Sequence, residues 1–335
     1  MNNLEAQHVL IAFLKYFGFF AFEIGSNGSI EVRTSIRFLY SLSLNSFGQV
    51  SFLLTHFYFT SEIGDYLNDG NKATKLVMWL EGFTFELSSF TVFYGIFWLR
   101  KKQVKLLTLI LELEKEIGKL KTSGVDYNKK LQRKSTLNVL SSVFLHVFIM
   151  ICYIGVVPKD NILIYLPISL LYISFGLYLT LIIQFMKNLV ESFGSFFEEL
   201  DWKLQNLITS CPFHYHDNEV RKIFQIYDKI FEAIPIFNES YGVIVLGIFT
   251  YVFGIVTFEI YYGFAMTFDT PVKLQLDEIF GVLGNIIAFM PMLFTFCSFG
   301  FSCEIAQDKV KKSFNFCQFI NFFFLSIRPK ISFCI

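Results

Sequence analysis

Charge is what this chain has least of. Only 17% of its 335 residues are charged, against about 25% in an ordinary soluble domain. Its 28 basic and 28 acidic residues cancel, which excludes a nucleic-acid partner held by bulk positive charge. Six cysteines in this length are too sparse for a secreted disulfide scaffold. There is no HExxH, no CxxC pair, no Walker-type glycine loop and no GxSxG, so neither an enzyme, a cofactor nor a metal is indicated. His214, His216 and Asp217 stand together, but without cysteine partners they read as a solvated loop.

Apolar residues make up 54% of the chain, and 44 of them are phenylalanine. A polytopic membrane protein accounts for both the abundance and the scarcity. Crossing the hydrocarbon takes about 20 mostly apolar residues at 1.5 Å each. Six stretches qualify: 36–59, 77–99, 137–157, 162–185, 241–266 and 279–301. They must be helices, because lipid cannot satisfy an open backbone and no barrel-like alternation is present. The expected fold class is therefore all-α, a transmembrane bundle over 36–301 with cytosolic helical loops at 100–136 and 186–240. The apolar run 9–24 is short, interrupted by Lys15 and without a small-residue cleavage site. It reads as an interfacial helix within a cytosolic N-terminal segment, 1–35.

Lys and Arg orient the bundle. Segments 1–35 plus Arg37, 100–136, 186–240 and 302–335 hold 24 of the 28 basic residues; the intervening loops hold Lys72, Lys75, Lys159 and Lys273. Both chain ends are thus expected in the cytosol. No cysteine lies in an expected external loop, and the sequons at Asn27 and Asn238 fall on the inner side. Both features disfavour a G-protein-coupled receptor, which has an external N-terminus. A small transporter would show inverted repeats; Pro167 and Pro291 interrupt two spans, but no repeat accompanies them.

The inner loops carry helical stripes. Leu106, Ile110, Leu113, Ile117 and Leu120 recur at spacings of four and three, as in a coiled coil. Leu189, Phe193, Phe196, Leu200, Leu204 and Leu207 form a second stripe; Val220, Phe224, Tyr227, Ile230 and Ile234 a third; Val310, Phe314, Cys317 and Ile320 a fourth, within 302–335. Such faces must be buried, either on the membrane surface or in a cytosolic helical anchor. The narrow heptad spacing favours the anchor, with Leu106, Ile110, Leu113, Ile117, Leu120, Phe193, Leu200 and Phe314 as its assembly residues.

External loops of 17, 4 and 12 residues cannot form a binding domain, so an extracellular ligand must be recognised among the helices. Ionisable groups inside spans are costly and mark candidate sites. Glu86, Glu259 and Asn285 fall in the outer half, with Tyr153, Tyr172 and Tyr262 at similar depth and His146 at mid-depth. An aromatic cavity with a few polar groups is the usual form of a small-molecule site. An aromatic belt and interhelical hydrogen bonds are the alternative reading of the same residues. Asn45 and Gln49 read as glue between helices.

Three local stretches carry a resemblance. Leu14 to Phe22 is similar to a short Gly-Phe segment before the first span of the insect gustatory receptors, relatives of the insect odorant receptors. Phe237-Asn-Glu-Ser-Tyr-Gly242 resembles the opening of their fifth span, and Ile327 to Cys334 the stretch before their last helix. The resemblance implies a tetrameric ligand-gated cation channel, homo- or heteromeric with other gustatory subunits, in the plasma membrane of sensory neurons. It implies assembly through cytosolic helices and a tastant pocket in the outer half of the bundle. The family's pore-lining last span carries a Thr-Tyr, five-residue, Gln-Phe signature that is not found before Ile335. On the resemblance, this chain is expected to lack that span and not to conduct ions by itself. An odorant-receptor-type subunit is the alternative.

Overall fold

The computed structural model describes residues 7–20, 22–24, 30–31, 36–66, 72–120, 127–156, 162–210, 217–268 and 290–315. The described chain is all-helical apart from a two-rung ribbon. A short helix α1 (His8–Tyr16) precedes strands β1 (Glu23–Ile24) and β2 (Ile30–Glu31), which pair antiparallel with Glu23 opposite Glu31. Then follow α2 (Ile36–Tyr66), α3 (Lys72–Trp98), α4 (Arg100–Leu120), α5 (Tyr127–Val156), α6 (Ile162–Ser210), α7 (Asp217–Phe268) and α8 (290–315). By length and composition, three helical segments of the described residues can cross a membrane: Gln132–Cys152, Ile173–Leu207 and Asn218–Phe258.

The long helices alternate in direction. Phe38 meets Phe97 and Phe52 meets Phe85, so α2 and α3 are antiparallel. Gly95 faces Ile244 while Gly254 faces Thr84, so α3 and α7 are too. Phe185 touches Tyr241 and Phe197 touches Tyr227, which sets α7 against α6. Lys134 pairs with Glu191 and His146 sits by Gly176, which sets α6 against α5.

Helices α6 and α7 have 49 and 52 residues, about 75 Å at 1.5 Å per residue, more than twice the roughly 30 Å hydrocarbon core. Each continues without a break from an expected span into the expected anchor, and α7 does so through Pro235. Span and anchor are thus one continuous helix in each case.

The anchor stripes are buried inside this single chain. Leu106 and Leu113 are fully buried, Ile110 and Ile117 nearly so, and Leu120 packs against the same core. Phe193 and Leu200 of α6 are buried as well. Exposed ion pairs join α4 to α7: Lys102–Glu239 at 2.8 Å, Lys105–Glu232 at 3.2 Å and Lys229–Glu116 at 2.6 Å. Surface pairs of this kind contribute about 0–1 kcal/mol each, whereas a buried leucine truncated to alanine costs about 2–5 kcal/mol. Thermal unfolding of purified protein should therefore show a large drop for Leu113→Ala and almost none for Glu116→Gln. Similar drops for the two would mean that charge, rather than burial, holds α4 in place.

Two expectations need correction. Phe314 does not belong to a buried stripe: it is 48% exposed, and only the edge of its ring meets Phe231. The buried positions of α8 are Met292, Phe299, Ser302 and its neighbour Ser313, the last about 100° round the helix from it; near Phe314, α8 meets α6 through polar side chains. The run 9–24 is not one helix. It stops at Tyr16, and Gly18 turns the chain with φ of +75°, a conformation that L side chains rarely adopt. A β-carbon there would also lie 3.0 Å from Asn45 Nδ2 and 3.3 Å from Ser41 Cα. Beyond the turn Phe19, Phe20 and Phe22 are buried, as are Leu10, Ile11 and Leu14 of α1. The segment packs against α5 and α6. Asn45 accordingly donates to the carbonyl of Gly18 at 3.2 Å, while Gln49 bonds Ser89 across the α2–α3 contact.

Candidate functional site

Four helices bring rings together midway along their expected spans. Phe52 of α2 lies 4.3 Å from Phe85 of α3; Phe85 is 4.7 Å from Phe175 of α6; Tyr251 of α7 is 5.4 Å from Phe85 and 5.6 Å from Phe175, centroid to centroid. Most of these contacts are edge-to-face or tilted, the arrangement that aromatic quadrupoles prefer, worth about 0.5–1.5 kcal/mol each beyond burial. From Phe175 the rings continue through Tyr178 and Phe19 to Phe185, Tyr241, Phe237 and Phe193. A column of aromatics thus runs from the middle of the expected spans towards the expected anchor.

Glu86 follows Phe85 on α3, about 100° further round the helix. It is partly buried, and its Oε1 is buried with no hydrogen-bond partner among the described residues. The hydroxyls of Tyr178 and Tyr241 in the column are likewise buried without partners. Native proteins leave few such atoms unsatisfied, and a buried free acceptor suits a small molecule carrying a hydroxyl or ammonium donor.

The remaining candidates separate. His146 on α5 is buried, with Nδ1 2.8 Å from the carbonyl of Ser142 on its own helix and Nε2 facing Gly176 of α6. It fills the α5–α6 contact, and no contact among the described residues joins it to Glu86. The backbones of Tyr153, Tyr172, Glu259 and Tyr262 lie in α5, α6 and α7, but their side chains lie outside the described residues, as does Asn285 entirely. Among the described residues no three His, Cys, Asp or Glu side chains gather in a metal-binding group.

One feature escapes a reading of apolar stripes. Helices α6 and α8 run parallel and are joined by a polar seam. Lys187 donates to Ser298, Ser302 to Glu191 at 3.2 Å, Lys309 pairs with Glu198 at 2.9 Å, and Ser313 donates to Asp201 at 2.6 Å. The partners advance together, 187, 191, 198, 201 against 298, 302, 309, 313. Heptad-like spacing of polar residues was the available signal; nothing in either row alone marks it as buried.

A bundle of long helices alternating in direction, with an aromatic core and lipid-like exposure of Phe144, Phe148, Phe249 and Phe253, defines a polytopic membrane protein. More specifically, the chain belongs to the 7tm chemosensory receptor family, whose family model matches residues 7–320. The resemblance to insect gustatory and odorant receptors is thereby established over nearly the whole chain. That is a family of chemoreceptors, not of enzymes. No curated protein matches the chain.

Proposed function

We propose that the chain is a taste-receptor subunit of the ligand-gated cation-channel type, binding a small extracellular tastant between its helices. It would cross the plasma membrane of sensory neurons six times within 36–301, with a cytosolic N-terminus. The alternation of α2, α3, α5, α6, α7 and α8 supports six crossings, and the 24-to-4 partition of basic residues supports the orientation. Assembly into a homo- or heterotetramer through the cytosolic helices belongs to the same proposal. Because the α4 stripe is already buried within the chain, contacts between subunits fall to other faces.

One observation carries the ligand site: the buried Oε1 of Glu86, which has no hydrogen-bond partner among the described residues. Tyr153, Tyr172, Glu259, Tyr262 and Asn285 are proposed as further pocket residues on the extracellular side of the four-ring cluster. In cells expressing the receptor, Glu86→Gln should shift the half-maximal tastant concentration about tenfold, the loss of one hydrogen bond to a charged group, at unchanged surface expression. An unaltered dose–response curve would remove Glu86 from the site. Orientation is checked separately by an N-terminal tag, which should be stained only after permeabilisation.

A further inference from the structure

We propose that a recess between α5, α6 and α8 binds the phosphate of an anionic phospholipid headgroup at the cytosolic edge of the bilayer. The recess has a volume of about 150 Å³ and is lined chiefly by polar residues, among them Asn138 of α5, Gln184 and Lys187 of α6, and Thr295 and Ser298 of α8. All three helices contribute these residues near the inner ends of their expected spans, 137–157, 162–185 and 279–301. The site rests on reading those helices as membrane-crossing, and its level in the bilayer is that of the headgroups.

Charge in the recess is unbalanced. Glu191 accepts from Lys134 with both carboxylate oxygens, at 2.9 and 2.7 Å. Lys187 lies 3.9 Å from the same carboxylate, and its hydrogen bond goes to the neutral Ser298. Two ammonium groups thus share one carboxylate, leaving one net positive charge on a lysine whose side chain is only 15% exposed. Gln184 is 3% exposed, lines the recess, and makes no side-chain hydrogen bond with a described residue. A buried amide beside an uncompensated ammonium offers hydrogen-bond donors to an oxyanion.

The surroundings favour a lipid over a soluble anion. Phe294, part of the lining, is 77% exposed, and Leu137, Leu140 and Phe144 of α5 are 66%, 53% and 73% exposed. These exposed apolar side chains lie on α5 and α8, two of the three helices that border the recess. Acyl chains can lie along them while the phosphate reaches Lys187. A free anion gains nothing from that apolar border.

Native mass spectrometry of the full chain in detergent, titrated with phosphatidate or phosphatidylcholine, tests the proposal. Phosphatidate should be retained in preference. One basic residue near a headgroup is worth about fivefold in affinity, so Lys187→Gln should lower phosphatidate retention by about that factor. Lys134→Gln should lower it too, because Glu191 then neutralises Lys187, whereas Glu191→Gln should raise it. A purely structural role would move all three variants the same way, and that result overturns the proposal. Equal retention of the two lipids by the unmodified chain also overturns it, and so does displacement of phosphatidate by millimolar inorganic phosphate, which would identify a soluble-anion site. The measurement depends on neither tastant response nor orientation, so its failure leaves the receptor proposal standing, and the failure of either of those leaves the retention ratios unchanged.

Discussion

Substituting leucine for Gly247 is expected to abolish accumulation of folded receptor. A β-carbon at this position would collide with the Thr91 side chain and lie 3.2 Å from the backbone oxygen of Ser88. The hydroxyl of Thr91 has little room to retreat, since it bonds back to the carbonyls of Leu87 and Ser88 at 2.8 Å. Gly95 lies against the Ile244 side chain, and a β-carbon on Gly254 would be 2.5 Å from Thr84 Cγ2. Three glycines from two helices thus allow α3 and α7 to approach closely, the usual means of packing helices where lipid removes the hydrophobic drive. Overpacking such a contact costs about 1–3 kcal/mol, and more when backbone must move. Gly242 on the same helix has nothing within 4 Å of its would-be β-carbon, so Gly242→Leu is the control. Size-exclusion profiles of the detergent-solubilised proteins should show a monodisperse peak for Gly242→Leu and aggregate for Gly247→Leu. Equal profiles would show that α3 and α7 do not make this approach.

Truncating Phe85 to alanine should lower stability by about 3–5 kcal/mol, the cost of emptying a buried aromatic site. Phe85 is 3% exposed and touches three rings at once, Phe52, Phe175 and Tyr251. No neighbour can collapse into the space without leaving its own partners, so the cavity term is retained. Phe90, five residues further along α3, is 58% exposed and loses little when truncated. The difference between the two unfolding midpoints in one detergent isolates the cluster from general effects on the helix. Phe85→Leu, which restores most of the volume, should recover the greater part of the loss. If Phe85→Ala and Phe90→Ala melt together, the four-ring cluster is not a structural centre and cannot form the floor of a binding site.

How far the sequence could be read depended on whether a residue declares its surroundings by its own chemistry. Leu106, Ile110, Leu113 and Ile117 do so, because leucine and isoleucine at heptad spacing have to be covered and the α4 stripe is buried. Glu86 does so as a carboxyl in an apolar helix. Phe314 misled, because the α8 surface facing α6 includes Ser302, Lys309 and Ser313, each paired with a carboxylate of the other helix. A serine looks the same whether it meets water or an aspartate 112 residues away in sequence, and only the fold supplies that aspartate. The run 9–24 misled for a local reason: its apolar content continues through Gly18, but the backbone there reverses.

The amino-acid sequence by itself determined that the chain is helical and membrane-embedded, where most helices lie, which stripes must be covered, and which family it resembles. These properties follow from hydrophobicity and periodicity, which act residue by residue along the chain. The tertiary structure decided which helices touch, how the phenylalanines join into one column, that Glu86 Oε1 is left without a donor, and that α6 and α8 share a polar seam with a recess beside it. Each of those depends on groups brought together from distant positions, where a charge or a ring acquires its meaning only from the partner placed against it.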